Sequence, residues 1–359
     1  MKKNSLMEKV LKNSTAKNTS VLSESVMFKS KDVIPTHIPI INVAFSGELD
    51  GGISSGLTLL AGPSKVFKSN LALVAVSAFL RKYDDAICIL YDSEGGITPE
   101  YLVSMNVDPD RVVHIPIEHI EMLKFDLVNQ LKELDRNDKV IVVIDSIGNT
   151  ASLKELEDAI NEKTVADMQR AKSIKSLFRM ITPSLVSKDI PCITICHTYQ
   201  EMTLYPKQII SGGTGLIYSA NQAFIIGKAQ EKQGDEVIGW NFTINVEKSR
   251  FVKEKSKLPF LVTYDKGISR YSGLMDLALE SGHCVKPKNG WYAKIDVETG
   301  EIIEKNYRLK DTETEEFWTP ILNDKKFKEF VSSKYKLCFN GTPNVISDTE
   351  ISEVFSDEE

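Results

Sequence analysis

The stretch that most limits how this chain can fold is residues 62–69, which read Gly-Pro-Ser-Lys-Val-Phe-Lys-Ser. The apolar run 57–61 before it predicts a short strand, and apolar residues at helical spacing predict a helix over 70–83. A strand, a tight loop ending in Lys-Ser and a helix are typical of a phosphate-binding loop. Main-chain N–H groups and the helix N-terminus bind phosphate there, the lysine reaches the outer phosphates and the hydroxyl holds Mg²⁺. The predicted nucleotide-binding residues are Gly62, Pro63, Ser64, Lys65, Val66, Phe67, Lys68, Ser69 and Asn70.

One position departs from the usual pattern of such loops. The residue before Lys68 is Phe67, where glycine is expected. A phenylalanine is strained at positive φ, so we expect the main chain here to have no need of the left-handed region. The strand–loop–helix context supports the phosphate-binding interpretation in spite of this substitution.

The composition bounds the class of protein. The chain has 359 residues, of which 42% are hydrophobic and 26% charged, as in globular proteins with one large domain or two. No apolar run approaches the roughly 20 residues of a membrane span, and no secretory signal is evident, so a cytoplasmic protein is expected. The net charge of −6 argues against DNA binding by the whole surface and leaves a local basic groove open.

The five cysteines are scattered, and we expect them to be reduced. Cys192, Cys196 and His197 together suggest a zinc site. Strand alternation, however, places the two cysteines on one face and His197 on the other, which disfavours it.

Strands and helices alternate along the first two thirds of the chain, which predicts an α/β fold with a central, mostly parallel sheet. The predicted strands are 57–61, 86–91, 112–115, 139–144 and 191–196, and the main helices are 70–83, 118–134 and 165–181. Later strands at 223–227, 240–246 and 259–264 follow one another without helices, so an antiparallel edge is expected. Residues 151–164 are interpreted as a charged connection and 197–215 as a long loop with little regular structure.

Three polar residues follow predicted strand ends, where parallel sheets bind ligands. These are Lys68, Glu94 and Asp145. Asp145 is placed to organise a metal ion, and Glu94 to polarise an attacking water, although it could be a helix-capping or salt-bridge acid. Tyr101 could stack on a nucleotide base or simply pack against the core.

Two cations follow a half-exposed strand. Lys248 and Arg250 alternate with Ser249, so they should point to one face. They could be a solvated edge, or they could reach the phosphates of a nucleotide bound to an adjacent subunit.

These motifs resemble the RecA-type recombinases, in particular their phage branch, over about residues 31–300. The residues that carry the resemblance are the loop 62–69, Tyr91-Asp92-Ser93-Glu94, Val142-Val143-Ile144-Asp145-Ser146, Gly212-Gly213 and Val246-Glu247-Lys248-Ser249-Arg250. The phage branch also has phenylalanine before the loop lysine.

The resemblance implies a RecA-type P-loop ATPase core that uses ATP and Mg²⁺. Lys68 and Ser69 would hold phosphate and metal, Asp145 would hold the metal through water, and Glu94 would be the catalytic carboxylate. Tyr101 would stack on adenine, and His197 would take the place of the family's usual glutamine as sensor of the γ-phosphate. Two DNA-binding loops would lie near 154–166 and 198–214. The candidate DNA-binding residues are Arg170, Lys172, Lys175, Lys207, Gly212 and Gly213.

The implied function is ATP-dependent homologous recombination. The chain would form a helical filament on single-stranded DNA and exchange strands with a homologous duplex, with Lys248 and Arg250 acting on the neighbouring subunit's nucleotide. A single-stranded-DNA-binding protein and a recombination mediator are the expected protein partners, in the cytoplasm of the host if a phage encodes the chain. A ring-shaped helicase motor and an ATP-gated scaffold without strand exchange are the alternatives.

The expected organisation has three parts. Residues 1–30 form an N-terminal helical arm that contacts the next subunit, with Phe28 and Val33 as candidate anchors, or a frayed terminus. Residues 31–270 form the ATPase core. Residues 271–359 form a small C-terminal domain whose acidic tail, 347–359, should be disordered. The tail competes with DNA for the basic groove, docks a basic partner or only keeps the chain in solution.

Overall fold

A computed structural model describes residues 5–16, 19–25, 32–161, 169–201, 208–303 and 305–337. Phe28, Lys207, Cys338 and the acidic tail lie outside these ranges. No helix within them is long and apolar enough to cross a membrane.

The described helices and strands alternate through the first part of the chain, as the sequence predicts. The helices are α1 (Ser5–Asn13), α2 (Pro39–Ser46), α3 (Lys68–Lys82), α4 (Pro99–Ser104), α5 (Ile120–Glu133), α6 (Leu153–Ile160), α7 (Gln169–Ser187), α8 (Thr214–Ser219), α9 (Leu274–Glu280), α10 (Glu315–Asn323) and α11 (Lys325–Tyr335). The strands are β1 (Gly56–Gly62), β2 (Ile87–Asp92), β3 (Val112–Pro116), β4 (Val140–Asp145), β5 (Pro191–Gln200), β6 (Gln208–Ile210), β7 (Gln222–Gln233), β8 (Glu236–Ser249), β9 (Lys257–Thr263), β10 (Gly267–Ile268), β11 (Cys284–Lys288), β12 (Trp291–Lys294) and β13 (Tyr307–Arg308).

The main sheet has the order β10-β9-β8-β7-β1-β5-β4-β2-β3 in the described part of the chain, with β6 attached to β5. Strands β7, β1, β5, β4, β2 and β3 are parallel neighbours, and β8, β9 and β10 extend the sheet in antiparallel fashion. The predicted parallel core with an antiparallel edge is confirmed. A separate antiparallel sheet, β11-β12-β13, lies in the C-terminal part.

Helices cover both faces of the sheet, which is why its central strands are apolar without alternation. One apolar core lies between the sheet and helices α5, α7 and α8, and it buries both Cys192 and Cys196, as strand alternation predicts. The other lies under α2 and α3 and continues into the C-terminal helices through Phe317, Trp318 and Phe327. The C-terminal part therefore packs directly on the part of the chain that carries the main sheet.

Helix α7 continues past the predicted end at residue 181 and contains Pro183. Proline removes one helical hydrogen bond, but two features offset this loss. Leu185 is fully buried beyond it, and the Thr182 hydroxyl donates 2.6 Å to the carbonyl of Phe178. Core packing beyond Pro183 therefore outweighs the loss of one helical hydrogen bond, and the helix continues.

Regular structure occurs in two segments that were interpreted as a charged connection and as a long loop. The connection 151–164 begins with α6, whose capping box joins Ser152 and Glu155. The segment 197–215 begins as a hairpin, because β5 runs on to Gln200 and pairs antiparallel with β6. Helix α8 follows. Both expectations were wrong for the described residues.

Candidate nucleotide-binding site

The carboxyl ends of four adjacent strands form the floor of the site. Strand register pairs Gly62 at the end of β1 with His197 on β5, and Asp92 at the end of β2 with Asp145 at the end of β4. The loop after β1 closes over this edge, and a cavity of about 390 Å³ results. Its polar lining brings the predicted site residues together: Ser64, Lys65, Lys68, Ser69, Asn70, Glu94, Tyr101, Asp145 and His197.

The loop itself has the conformation of an anion nest. Lys65 and Phe67 adopt positive φ angles of 59° and 68° at alternate positions, a pattern that turns main-chain N–H groups toward a common point. Helix α3 begins immediately afterwards, at Lys68, so the positive end of its dipole faces the same point.

Lys68 is held under the loop. Its side chain is almost fully buried, and its Nζ donates to the carbonyls of Gly62 at 3.1 Å and Pro63 at 2.6 Å. Burial lowers the pKa of Lys68, while the charges of Asp145 and Glu94 act in the opposite direction. A buried ammonium group with few partners is well placed to bind an anion.

Phe67 corrects the expectation that its position avoids the left-handed region. With φ at 68° it is strained as any phenylalanine would be there. Its ring packs against Phe242 and Phe260, at centroid distances of 5.0 and 5.7 Å. These two rings belong to β8 and β9 and stack on each other at 5.5 Å. Aromatic packing against the antiparallel extension therefore holds the strained loop.

A second contact ties the loop to strands β7 and β8. Lys228 on β7 donates from Nζ to the carbonyl of Lys65 at 3.0 Å. The same ammonium lies 4.4 Å from the ring centroid of Trp240 on β8, so cation–π attraction favours its position.

Ser69 and Asp145 form the candidate metal site. The Ser69 hydroxyl donates to Oδ2 of Asp145 at 2.7 Å. Burial raises the pKa of Asp145 to about 6; the Ser69 hydrogen bond opposes this, and the charges of Glu94 and Asp92 add to it. Because burial disfavours the charged carboxylate, a divalent cation that pairs with it is favoured there. A hydroxyl and a carboxylate are oxygen ligands of the kind that Mg²⁺ prefers, so these residues fit that ion.

Glu94 is fixed through one of its two oxygens. Oε1 accepts hydrogen bonds from Ser146 Oγ at 2.6 Å and Asn149 Nδ2 at 2.9 Å, and it lies 3.2 Å from His197 Nε2. Burial raises the pKa of Glu94, but the bonds from Ser146 and His197, with the charge of Lys68, outweigh burial and leave this pKa below its ordinary value. Glu94 is therefore a charged carboxylate, as a group that accepts a proton from water must be.

Sequence reasoning missed three residues that position Glu94. Ser146 and Asn149 bond to its carboxylate, and Asp92 accepts the main-chain N–H groups of Glu94 and Gly95 at 2.8 Å each. A signal was present, since Ser146 and Asn149 come shortly after Asp145, which ends the apolar strand β4.

Lys248 and Arg250 do not line the cavity of the same chain. Lys248 donates from Nζ to the carbonyls of Ile217 and Tyr218, at 2.8 and 3.0 Å, and so caps the C-terminus of α8. Burial lowers the pKa of Lys248, and the charge of Arg250 lowers it further. The two cations are thus close together, and the Arg250 side chain is exposed.

The candidate DNA-binding residues differ in their exposure and in their contacts within the chain. Lys172 and Lys175 are exposed on α7, whereas the guanidinium of Arg170 donates to main-chain carbonyls of the same chain. Gly212 and Gly213 have φ of 104° and 82°, which only glycine adopts without strain, and they turn the chain from β6 into α8. Lys207 lies outside the described residues.

Fold and site define a P-loop nucleotide-binding protein, and comparison with known sequences narrows this class. Residues 9–269 match the profile of the RecA N-terminal domain. Residues 271–331 match that of the bacteriophage T4 recombination and repair protein, C-terminal domain. The chain therefore belongs to the RecA family of recombinases, which are DNA-dependent ATPases.

Individual relatives agree with this assignment. The chain is 54% identical to the recombination and repair protein of Enterobacteria phage T4, over 92% of this chain and 86% of that protein. It is 28% identical to protein RecA of Chlorobaculum parvum, over 81% of this chain and 84% of that protein. For protein RecA of Tropheryma whipplei the identity is 27%, over 77% of this chain and 62% of that protein.

We predict that Phe67→Gly destabilises the protein although it removes backbone strain. Relief of the left-handed conformation is worth about 1–2 kcal/mol, and loss of a packed phenylalanine costs about 3–5 kcal/mol. The free energy of unfolding in urea should therefore fall by about 1–4 kcal/mol. Phe125→Ala, which truncates a ring that is 63% exposed, is the control and should change little. A Phe67→Gly variant as stable as the wild type would contradict the packing role.

We predict that Asp145→Asn stabilises the nucleotide-free protein at high pH. Because the folded-state pKa is raised to about 6, the folded protein binds more protons than the unfolded chain between about pH 4 and 6, and wild-type stability falls as pH rises through this range. The melting temperature of the variant should thus exceed that of the wild type at pH 8, and the difference should vanish toward pH 4. Asp84→Asn, at an exposed turn, is the control. A difference that is constant with pH would rule out burial of the charge as the cause.

Proposed function

We propose that this chain binds ATP and Mg²⁺ in the cavity at the end of β1 and hydrolyses ATP when assembled as a filament on single-stranded DNA. The Ser69–Asp145 hydrogen bond carries the proposal. It joins the start of the helix after the loop to the end of β4, and these are the two positions from which a P-loop ATPase holds its metal.

Different residues of the site would bind phosphate, hold the metal ion and accept a proton during phosphoryl transfer. Lys68 and the N–H groups of the loop would bind phosphate oxygens, and Ser69, with Asp145 through water, would hold Mg²⁺, which supplies charge neutralisation when bound. All three hydrogen bonds to Glu94 end on Oε1. Oε2, with no partner among the described residues, would accept the proton of the attacking water.

The remaining lining residues would position the nucleotide. Tyr101 lines the cavity and packs partly against the core, so its ring face could stack on adenine. Burial, with the charge of Asp145, raises the pKa of Tyr101, which keeps it neutral. His197 would link the γ-phosphate to the β5–β6 hairpin.

A neighbouring copy would complete the site. Residues 1–30 would form the arm that grips the next subunit: helix α1 buries none of its residues and exposes Leu6, Met7 and Val10. Val33 is 41% exposed, and Phe28 lies outside the described residues. Arg250, with Lys248, would reach the neighbour's phosphates. Head-to-tail contacts that do not close produce an open helical filament.

DNA would lie against α7 and the β5–β6 hairpin. Lys172 and Lys175 supply exposed positive charge, and Lys207, Gly212 and Gly213 belong to the second loop. Backbone cations of this kind bind single strands without regard to sequence. The chain would pair the bound strand with a homologous duplex, aided by a single-stranded-DNA-binding protein and a mediator in the host cytoplasm.

Residues 31–270 would be the motor, and 271–359 a small C-terminal domain with an acidic tail.

Two variants separate binding from chemistry. Lys68→Ala should abolish ATP turnover and weaken ATP binding, because it removes the buried cation. Glu94→Gln should keep ATP binding and DNA-bound filaments while losing turnover by about 10²-fold or more. The measurement is the ATPase rate with and without single-stranded DNA, together with nucleotide affinity and electron microscopy. Wild-type turnover that ignores single-stranded DNA, or closed rings in place of filaments, would contradict the proposal.

Mixing experiments test the contribution of the neighbour. Arg250→Ala and Lys68→Ala chains should each be inactive, yet a 1:1 mixture should recover ATPase activity, since about a quarter of the interfaces in a randomly mixed filament join an intact Lys68 to an intact Arg250. Lys68→Ala mixed with Glu94→Gln is the matched control: both residues line the cavity of one chain, so no intact site can form. Failure of the first mixture to recover would place Arg250 outside the neighbour's site.

A further inference from the structure

The turn between β4 and α6, residues 147–150, is clamped by a single side chain. Arg170, in the first turn of the described part of α7, donates from Nε to the carbonyl of Thr150 at 2.7 Å. Its Nη2 donates to the carbonyls of Ile147 at 3.0 Å and Gly148 at 2.6 Å. Three of the turn's four carbonyls thus bond to one guanidinium group. We call residues 147–150 the β4–α6 turn.

These contacts set Arg170 apart from the other basic residues of α7. Lys172 and Lys175 are exposed, whereas Arg170 is half-buried. A planar guanidinium that donates three hydrogen bonds to carbonyls of the turn fixes the position of the turn relative to Arg170. The geometry thus favours a structural contact of Arg170 over a contact with DNA phosphate.

The opposite side of the β4–α6 turn contacts the candidate catalytic carboxylate. Asn149 Nδ2 donates to Glu94 Oε1 at 2.9 Å, and Ser146 Oγ, from the residue before the turn, donates to the same oxygen at 2.6 Å. The Thr150 hydroxyl donates back to the carbonyl of Ser146 at 2.8 Å. Any displacement of the turn would therefore move the donors of Glu94.

The turn also packs closely against β5. The N–H of Ile147 donates to the carbonyl of Ile195 at 3.0 Å. A Cβ atom at Gly148 would come within 2.8 Å of His197 Cδ2 and 3.1 Å of His197 N. The turn consequently has little room to move independently of Arg170 on one side and His197 on the other.

We propose that Arg170 is a positioning residue that sets the orientation of Glu94 through the β4–α6 turn and Asn149. The N-terminal end of α7 carries the exposed lysines. A shift of this end moves the β4–α6 turn through the three hydrogen bonds of Arg170. The turn then moves Glu94 through the hydrogen bond from Asn149 to Oε1 of Glu94. The orientation of Oε2 toward the attacking water changes with it. This inference rests on the proposed roles of Glu94 as base and of α7 in DNA binding.

The first test compares Arg170 with a lysine on the same helix. Arg170→Ala and Arg170→Lys should both lower kcat at saturating single-stranded DNA about tenfold, the equivalent of one lost hydrogen bond to a charged group. The KM for ATP, the affinity for single-stranded DNA and the salt dependence of that affinity should stay within about twofold of wild type. Lys172→Ala, at a residue proposed to contact DNA, should instead weaken the binding of single-stranded DNA and lower the salt slope of that binding by about one.

The conservative variant decides between the two roles of Arg170. A lysine keeps the charge that a phosphate contact needs, but it cannot form the three-carbonyl fork. If Arg170→Lys restores wild-type kcat, or if Arg170→Ala weakens DNA binding with kcat intact, the proposal is overturned. Melting temperatures show whether each variant is folded.

The relay is the chain of contacts from Arg170 through the β4–α6 turn and Asn149 to Glu94. Asn149→Ala tests its far end without disturbing the core, because Asn149 is exposed. Its kcat should also fall about tenfold. Arg170→Ala combined with Asn149→Ala should be no slower than the worse single variant, since both changes break one chain of contacts. Losses that multiply would overturn the relay. If instead wild-type turnover ignores single-stranded DNA, or Glu94→Gln keeps full turnover, the proposed function itself fails.

Discussion

The site depends on a carboxylate that the fold buries. Asp145 is 5% exposed at the end of β4, and desolvation of a charged carboxylate costs several kcal/mol unless a partner offsets it. Ser69 offsets part of this cost with one hydrogen bond, and Lys68 contributes charge at longer range. A divalent cation would contribute more than either. Burial would therefore link the affinity for a metal ion to the geometry of the sheet, because register places Asp145 beside Asp92, within hydrogen-bond distance of Ser69.

The loop above Asp145 is strained, and the strain is balanced outside the parallel sheet. Phe67 occupies a left-handed conformation that a glycine would adopt freely. Phe242 and Phe260 hold its ring, and they lie on β8 and β9. Strand β8 also leads to Lys248 and Arg250. The same antiparallel extension thus holds the phosphate loop of one chain and presents the cations proposed to act on its neighbour.

The spacing of apolar residues in the sequence predicted those strands and helices that bury one face, or both, in a core. The apolar strand β4 and the stripe of α5 were found because their residues are apolar for a single reason, contact with one core. Helix α6 was missed although Ser152 and Glu155 form a capping box; it buries none of its residues, so contact with a core does not mark it. Phe67 could not be interpreted from sequence, because the two rings that hold it lie about 175 to 193 residues further along the chain. Likewise, Arg170 resembles any basic residue on a helix until its carbonyl partners are known.

Under the proposed function, two elements that face DNA converge on one atom. His197 reaches Glu94 Oε1 from the strand that leads into the β5–β6 hairpin, and Asn149 reaches it from the turn that Arg170 clamps. Each hydrogen bond to a charged group is worth about 1.5–3 kcal/mol, or roughly ten- to a hundredfold in rate if it is needed to orient the base. A base oriented by both elements at once would be fully active only while both keep these contacts. Hydrolysis would then respond to a bound strand along the whole groove rather than to any single phosphate contact.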